Sequence, residues 1–167
     1  MDRIVVIGCP GGGKTTFARK LSAKLDLPLT HLDALWWRDG WTHVTREEFD
    51  RLHGEALAGD RWIIDGNFSR TMDARLARCD GVFYLDYPRI VCLTGVIRRF
   101  AQYRGQTRPD MGGRCPERLD REFLRYIWTF NRKNRKWIQA RLAALDPAVE
   151  VHIFRSRREA ARYLAAL

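Results

Sequence analysis

The sequence predicts an α/β protein in which helices cover both faces of a five-stranded parallel sheet, giving a three-layer sandwich. Two observations lead to this fold class. Short β-branched or aromatic runs alternate with longer helical patterns along the whole chain, and such alternation is typical of parallel strands joined by crossover helices. A glycine-rich segment also separates the first strand from the first helix, at residues 8–13, which is the order strand, phosphate-binding loop, helix.

The first half of the chain holds three predicted strands and three predicted helices. Continuous apolar runs predict buried strands, and apolar residues at helical spacing, such as Phe17, Leu21 and Leu25, predict the first helix. Thr45 and Glu48 form a capping box at the start of the second helix. The predicted elements are strand Arg3–Ile7, helix Lys14–Leu25, strand Leu29–Leu32, a helix from the Thr45 cap to Ala58, strand Trp62–Asp65 and helix Met72–Ala77.

The second half contains two strands, three helices and one long loop. Residues 105–116 hold three glycines, two prolines and two of the chain's many arginines, a composition that predicts a loop rather than a core element. Ser156 and Glu159 form a second capping box. The predicted elements are strand Gly81–Asp86, helix Arg89–Tyr103, loop Gly105–Pro116, helix Arg118–Leu145, strand Val149–Phe154 and a closing helix after Ser156.

Size and composition predict one domain, residues 1–167, with a lid insertion at about residues 105–117. No apolar run is long enough for a membrane span, and the first strand begins at once, so we expect a cytoplasmic protein without a signal peptide. The formal net charge is +10, and between Arg98 and Arg141 there are 13 basic against four acidic residues. This excess of positive charge predicts an anionic partner, either a phosphorylated small molecule or nucleic acid.

The segment Gly8-Cys9-Pro10-Gly11-Gly12-Gly13-Lys14-Thr15 matches the phosphate-binding P-loop pattern at every defined position. Its four glycines, Gly8, Gly11, Gly12 and Gly13, let successive backbone N–H groups surround an anion at a helix N-terminus. Lys14 is expected to reach the β- and γ-phosphates, and the Thr15 hydroxyl to bind Mg²⁺. The sequence therefore predicts a site for a nucleoside triphosphate and Mg²⁺, with ATP and GTP left undistinguished.

Carboxylates stand at the ends of three predicted strands, where ligands of open α/β sheets collect. Asp65 is the predicted Mg²⁺-organising residue; Asp86 competes for this role, but Gly66 after Asp65 allows closer ligand approach. Asp33 is expected to hold the acceptor substrate or to accept its hydroxyl proton, with local turn capping as the alternative. His31 should point to the opposite face of its strand and have a structural role.

Several arginines are candidates for contacts with phosphate. Arg70 follows Asp65 closely and is predicted to clamp an acceptor, with an exposed helix start as the alternative. The loop at 105–116 and its flanks form an arginine-rich flap that would surround a transferred phosphoryl group and exclude water. The flap arginines and their flanking arginines are Arg98, Arg99, Arg104, Arg108, Arg114, Arg118 and Arg121; a solvated basic helix pair is the alternative.

Tryptophans form a second group of candidates. Trp36, Trp37 and Trp41 follow Asp33 and are expected either to line a substrate pocket or to pack in the core. Trp128 and Trp137 lie in the long basic helix, where packing against the sheet is the expected role.

These motifs resemble the nucleoside monophosphate kinases and related small-molecule kinases. "DGNFSRT" is similar to the adenylate kinase segment D-G-F-P-R-T with one extra residue, and "HLDALWW", "WIIDGNF" and "TRPDMGGRCPERLDREFLRYIW" look like the adenylate-kinase-related topology modulation proteins. The resemblance implies roles for individual residues. ATP and Mg²⁺ would be held by Gly11, Gly13, Lys14, Thr15 and Thr16. Asp65 would organise the metal ion, and Arg70 would bind the acceptor. The lid arginines would be Arg98 and Arg99, with Arg108 or Arg114 as further candidates, and Ser156 would lie near the adenine. Asp33 resembles the acceptor-binding aspartate of shikimate-type kinases.

The chain also departs from adenylate kinases. "DALWWRDGW" stands where they have T-G-D-x-x-R, which argues against AMP as the acceptor. We therefore expect an ATP-dependent phosphotransferase with a small acceptor, a nucleotide or a hydroxyl-bearing metabolite. A nucleic-acid-associated ATP-binding protein, which affects DNA topology or modifies polynucleotide ends, is the alternative, and a regulatory ATPase is a third reading. The sequence leaves monomer and dimer open.

Overall fold

The computed structural model describes residues 1–167 and alternates strands with helices along the chain. The elements are β1 (Arg3–Gly8), α1 (Lys14–Leu25), β2 (Leu29–His31), α2 (Leu32–Trp36), β3 (Trp37–Arg38), a 3₁₀ turn (Asp39–Trp41), β4 (Thr42–His43), α3 (Arg46–Ala58), β5 (Trp62–Asp65), α4 (Ser69–Leu76), β6 (Gly81–Leu85), α5 (Arg89–Gln102), α6 (Arg121–Ala143), β7 (Glu150–Phe154) and α7 (Arg157–Ala166).

Five strands form one parallel sheet in the order β2-β5-β1-β6-β7. The strand β1 lies in the middle, so the glycine-rich segment that follows it lies at the centre of the sheet's carboxyl edge. Val6 is in register with Asp65, and His31 is in register with Asp65 on the other side. The last residues of β2 and β5 therefore lie beside the C-terminal part of β1, at the same edge of the sheet. The predicted fold class is confirmed.

Helices pack on both faces of the sheet because its central strands are apolar on both sides. On one face, Phe17 of α1 contacts Phe83 and Phe154, with ring centroids 5.2 Å and 5.6 Å apart, and Tyr163 of α7 joins them. On the other face Ile7 lies against apolar residues of α4 and α6, which are Met72, Leu76, Trp137, Ile138 and Leu142. These two layers produce one continuous core.

Both predicted N-cap residues, Thr45 and Ser156, cap their helices, although neither glutamate returns a hydrogen bond to the N-cap backbone N–H. The Thr45 hydroxyl accepts the backbone N–H of Glu48 at 3.2 Å and begins α3. The Ser156 hydroxyl accepts the N–H of Glu159 at 3.2 Å and begins α7. Each cap satisfies a backbone donor that the first helical turn leaves free.

The structure differs from the predicted elements mainly between residues 31 and 43. The second strand ends at His31, and Leu32 already begins the five-residue helix α2. The small antiparallel ribbon β3–β4 was not predicted, because two-residue strands leave no periodic signal. In addition, α4 begins at Ser69, three residues before the predicted start.

The long helix α6 is shorter at both ends than predicted, and one of its aromatic residues does not pack on the sheet. Phe130 is buried, but Trp128 is 46% exposed and the Arg89 guanidinium lies 3.8 Å from its ring centroid. The predicted core role of Trp128 is therefore wrong, since this residue lies on the outer face of α6. None of the helices combines the length and the apolar character that crossing a membrane requires.

Candidate active site

The glycine-rich segment forms a tight turn between β1 and α1. Gly11 and Gly13 adopt left-handed backbone conformations, with φ of 78° and 89°, which side chains other than glycine rarely tolerate. A Cβ at Gly11 would also overlap the carbonyl oxygen of Cys92 in α5. Lys14 and Thr15 then form the first turn of α1, so the backbone, the ammonium group and the hydroxyl are arranged as an anion site requires.

Two side chains from distant elements hold this loop in place. The Asn67 side-chain amide bonds both backbone groups of Gly8: its Oδ1 accepts the N–H at 3.0 Å, and its Nδ2 donates to the carbonyl at 2.9 Å. Arg157, at the start of α7, donates to the carbonyl of Gly11 at 3.1 Å. The sequence indicated neither contact, because both depend on pairings across the sheet edge.

Asp65 is the centre of the polar contacts at the end of β5. Its Oδ2 accepts from the Thr15 hydroxyl at 3.1 Å and lies 3.0 Å from His31 Nδ1. Its Oδ1 is buried and has no hydrogen-bond partner in the protein. A carboxylate with one free buried oxygen beside a P-loop hydroxyl fits Mg²⁺, which prefers oxygen ligands and is bound through one or two carboxylates plus phosphates.

Asp86, the competing candidate for the metal, has other partners. The Arg135 guanidinium of α6 donates to its Oδ2 at 2.8 Å and 2.6 Å, and the Tyr84 hydroxyl donates to its Oδ1 at 3.3 Å. Asp86 is buried and does not line the cavity described below. This ion pair attaches α6 to the sheet, which favours Asp65 over Asp86 as the metal-organising carboxylate.

A cavity of about 890 Å³ extends from the glycine-rich segment across the carboxyl edge of the sheet. Most of the predicted site residues line it, namely Gly11, Gly13, Lys14, Thr15, Thr16, Asp33, Asp65, Arg98, Arg99 and Arg108. His31 lines it too. The prediction that His31 and Asp33 face opposite sides is wrong, because the strand ends at His31 and the alternation of side chains does not continue into α2.

Asp33 lies in the first turn of α2 and is partly buried. No protein group donates a hydrogen bond to its carboxylate. Burial raises the pKa of Asp33 above its usual range, while the positive charges of Arg108 and Lys14 act in the opposite direction. A carboxylate with a raised pKa and free acceptor atoms is suited to bind a hydroxyl group and take its proton.

The end of α5 and the flap that follows it each bring one arginine into the cavity, Arg99 and Arg108, together with counter-ions from the flap. Glu117 lies 2.7 Å from the Arg99 guanidinium and 2.8 Å from that of Arg108, and Asp110 lies 2.6 Å from Arg108. Asp110 also accepts a hydrogen bond from the Thr15 hydroxyl at 3.4 Å. The flap therefore reaches the P-loop in this structure, and its two carboxylates neutralise Arg108 and Arg99.

Some predicted site residues do not line the cavity, namely Gly8, Gly12, Arg70, Arg104, Arg114, Arg121 and Ser156. Arg70 turns outward and forms a two-pronged ion pair with Asp50 at 2.8 Å and 2.6 Å. Arg114 is 90% exposed in its side chain and pairs with Asp39. The Ser156 hydroxyl is occupied in capping α7. For Arg70 and Arg114, nearby carboxylates that are distant in sequence decide the direction of the side chain.

A buried arginine that sequence reasoning did not single out supports the loop after β5. Arg75 of α4 is fully buried, and its guanidinium donates to the carbonyls of Gly66, Asn67 and Phe68. Burial lowers the pKa of Arg75 to about 10, so the group stays charged at neutral pH. Its position fixes Asn67, which in turn holds Gly8.

The three tryptophans after Asp33 divide between core and cavity. Trp36 packs edge-on against Phe49, with centroids 5.3 Å apart. Trp37 and Trp41 line the cavity. The Trp41 indole also donates to the carbonyl of Pro116 at 3.0 Å, which ties the β3–β4 ribbon to the flap.

The comparisons with known proteins give structural neighbours only. No family model and no curated protein sequence matches the chain. Shikimate kinase from Bacteroides thetaiotaomicron matches with a TM-score of 0.58 at 17% identity, over 99% of this chain and 95% of that one. A candidate kinase from Chloroflexus aurantiacus has a TM-score of 0.57 at 18% identity, over 98% and 94%. The chain has the P-loop kinase fold.

A gluconokinase from Sinorhizobium meliloti gives the same result, with a TM-score of 0.53 at 17% identity over 99% of this chain and 92% of that one. The neighbours therefore span nearly the full chain in both directions. The narrower resemblance to topology modulation proteins is not confirmed by them.

Proposed function

We propose that this protein is a Mg²⁺- and ATP-dependent phosphotransferase that moves the γ-phosphoryl group to a hydroxyl of a small acceptor. One observation carries the proposal: the P-loop Lys14 and Thr15, the Asp65 carboxylate and the unpartnered Asp33 carboxylate all line a single cavity. Its structural neighbours are kinases by name, which supports a small-molecule acceptor.

The residues divide between the two ends of the cavity. The backbone of residues 11–16 and Lys14 would hold the triphosphate; Arg157, which donates to the Gly11 carbonyl, lines the cavity next to that loop, and Arg98 lines it too. Thr15 and Asp65 would hold Mg²⁺, which when bound stabilises negative charge on the phosphates. Asp33, Trp37 and Trp41 lie toward the β2 end and would hold the acceptor.

The proposed step needs little covalent chemistry from the protein, because phosphoryl transfer depends on positioning and charge stabilisation. The acceptor hydroxyl oxygen forms a bond to the γ-phosphorus while the bond to the β,γ-bridging oxygen breaks, and ADP leaves with that electron pair. Asp33 takes the hydroxyl proton. Lys14 stabilises charge on the oxygens of the transferred group, and the flap excludes water.

The nucleic-acid alternative rests on the outer face of α6. Arg121, Arg125, Arg132 and Lys136 are exposed there and have no ion-pair partner, so part of the positive charge predicted from sequence forms a surface stripe. The kinase neighbours do not favour this alternative. If phosphate contacts of this stripe bound DNA, affinity would fall steeply with salt, by about 0.9 log units per contact for each tenfold rise.

The function is tested by incubating the protein with Mg²⁺-ATP and a pool of metabolites, nucleosides, nucleoside monophosphates and 5′-hydroxyl oligonucleotides, followed by mass spectrometry. Lys14→Ala should abolish every phosphorylated product, while Lys20→Ala, an exposed lysine on the same helix, should retain them. ADP formed without a phosphorylated acceptor would contradict the transferase and favour a regulatory ATPase.

A further inference from the structure

Aromatic side chains wall the acceptor end of the cavity. Trp37, Trp41, Phe68 and Tyr126 all line the cavity, and the indoles of Trp37 and Trp41 meet edge to face with centroids 5.3 Å apart at 77°. Trp41 is held in a left-handed conformation, with φ of 62°, which a bulky residue rarely adopts without support from its surroundings. Such a wall offers flat apolar surface for stacking on a ring.

The cations closest to this end are already neutralised. Arg108 pairs with both Asp110 and Glu117, and Glu117 also pairs with Arg99. The side chain of Glu117 is only 1% exposed, so solvent ions screen these pairs less than they would screen exposed pairs. The two guanidiniums and two carboxylates form a set of zero net charge, which leaves no free guanidinium near Asp33.

The remaining basic residues of the cavity lie away from the acceptor end or at its rim. Arg157 donates to the carbonyl of Gly11, which places it at the nucleotide end. Arg98 lies about one turn of α5 after Gly95, which packs against the Gly11 carbonyl. Arg118 is 62% exposed in its side chain and lies 4.9 Å from the Trp41 ring centroid, and Arg19 is exposed on α1. Arg70, the predicted acceptor clamp, faces Asp50 on the outside.

Lys14 is the other cation whose charge acts on Asp33, and the proposed function assigns Lys14 to the triphosphate. With ATP bound, Asp33 would face the acceptor as a carboxylate without a cation of its own. A carboxylate or phosphate ester at this position would meet a like charge, which disfavours binding strongly.

We propose that the acceptor is an uncharged hydroxyl compound carrying a flat ring, a nucleoside in chemical class, rather than a carboxylate or a phosphate monoester. The aromatic wall supplies the stacking surface, and Asp33 binds the hydroxyl. The inference rests on the proposed function, because it identifies the substrate class of the same site.

Matched acceptor pairs test this inference. The rate of Mg²⁺-ATP-dependent transfer is measured for adenosine, guanosine, cytidine and thymidine, each against its own 5′-monophosphate, with shikimate and gluconate as carboxylate probes. We expect kcat/KM for at least one nucleoside to exceed that of its monophosphate by about 100-fold, as a like-charge contact of several kcal/mol implies. Asp33→Asn should abolish transfer to the nucleoside.

The outcomes separate the two proposals. Lys14-dependent transfer to a monophosphate or a carboxylate in preference to every nucleoside overturns the substrate class and leaves the kinase standing. Stronger binding of a monophosphate by Asp33→Asn than by the unmodified protein supports the repulsion argument, and unchanged binding counts against it. No transfer to any probe by a protein that still binds Mg²⁺-ATP overturns the substrate class, whereas loss of Mg²⁺-ATP binding itself overturns the proposed function.

Discussion

At the scale of single residues, Asp65 connects the P-loop to the second strand. Its Oδ2 lies 3.1 Å from the Thr15 hydroxyl and 3.0 Å from His31 Nδ1, and its Oδ1 has no protein partner. His31 therefore fixes the orientation of the carboxylate without occupying the free oxygen. Groups that orient metal-binding carboxylates in this way contribute to metal affinity although they do not touch the metal.

We predict that His31→Ala raises the Mg²⁺ concentration needed for half-maximal ATP turnover by about 10–100-fold, the usual loss of metal affinity when such an orienting partner is removed. His31→Asn places an amide nitrogen close to the position of Nδ1 and should restore part of the loss. The measurement is a Mg²⁺ titration at saturating ATP. An unchanged midpoint in His31→Ala would show that Asp65 needs no support from β2.

Arg75 gives a second prediction at this scale. Arg75→Met keeps the volume of the side chain but leaves the carbonyls of Gly66, Asn67 and Phe68 without their donor. Since each unsatisfied buried group costs about 1–3 kcal/mol, the free energy of unfolding should fall by about 3 kcal/mol or more in urea titrations. Arg78→Met, at a nearby exposed arginine, is the control and should be nearly neutral.

The candidate residues that line the cavity as expected are those whose place follows from local pattern. Lys14 and Thr15 are fixed by the loop motif, and Asp65 by the end of an apolar strand. The direction of Arg70, the contact of His31 with Asp65 and the burial of Arg75 depend on partners between 4 and 34 positions away. A pattern of residue types along one chain carries no information about those pairings.

At the scale of elements, the flap docks on the β3–β4 ribbon rather than standing free. The backbone N–H of Arg114 donates to Asp39 Oδ1 at 2.7 Å, and the N–H of Gly40 donates to the carbonyl of Arg114 at 2.9 Å. Gly112 lies so close to α2 and β3 that a Cβ there would overlap the carbonyl oxygen of Ala34. The flap and the acceptor end of the cavity are thus one packed unit.

We predict that Gly112→Ala undocks the flap. Trypsin should then cleave near Arg108 and Arg114 several times faster than in the unmodified protein, because cleavage requires a segment to leave its packed position. Gly54→Ala is the matched control, since a Cβ at Gly54 meets nothing within 4 Å. Equal cleavage rates in the two variants would mean that the flap does not depend on this contact.

The longer helices and the central strands were predictable because helical spacing or a continuous apolar run extends over many residues in each. The ribbon at Trp37–His43 was not, since its pairing comes from two residues on each side and from contacts with the flap. The same contacts determine which tryptophans line the cavity. The candidate site could therefore be predicted at its nucleotide end, but its acceptor end could not.

At the scale of the whole molecule, one buried histidine links folding to pH. His53 lies in α3 against Phe49, with its Nε2 buried and without a partner. Burial lowers the pKa of His53 from 6.5 to about 4. Between these values the unfolded chain binds a proton that the folded chain does not, so stability is greatest above pH 6.5 and falls as the pH drops toward 4.

At pH 4 the free energy of unfolding should be about 3 kcal/mol lower than above pH 6.5, since one pKa unit corresponds to about 1.4 kcal/mol. His53→Phe keeps a flat ring against Phe49 and removes the titrating group. The fall in the free energy of unfolding between pH 6.5 and 4 should therefore be about 3 kcal/mol smaller in this variant. His43→Gln, at an exposed histidine, should leave it unchanged. Parallel pH profiles for the unmodified protein and His53→Phe would contradict the assignment.

The central claim is that the P-loop, Asp65 and Asp33 form a single phosphoryl-transfer centre. A crystal structure with Mg²⁺ and a non-hydrolysable ATP analogue tests it most directly. We predict Mg²⁺ next to the Thr15 hydroxyl and organised by Asp65, Lys14 on the β- and γ-phosphates, and the γ-phosphate facing Asp33 across the cavity. Nucleotide bound with its γ-phosphate directed away from Asp33, or a metal ion without contact to Thr15 and Asp65, would contradict the account.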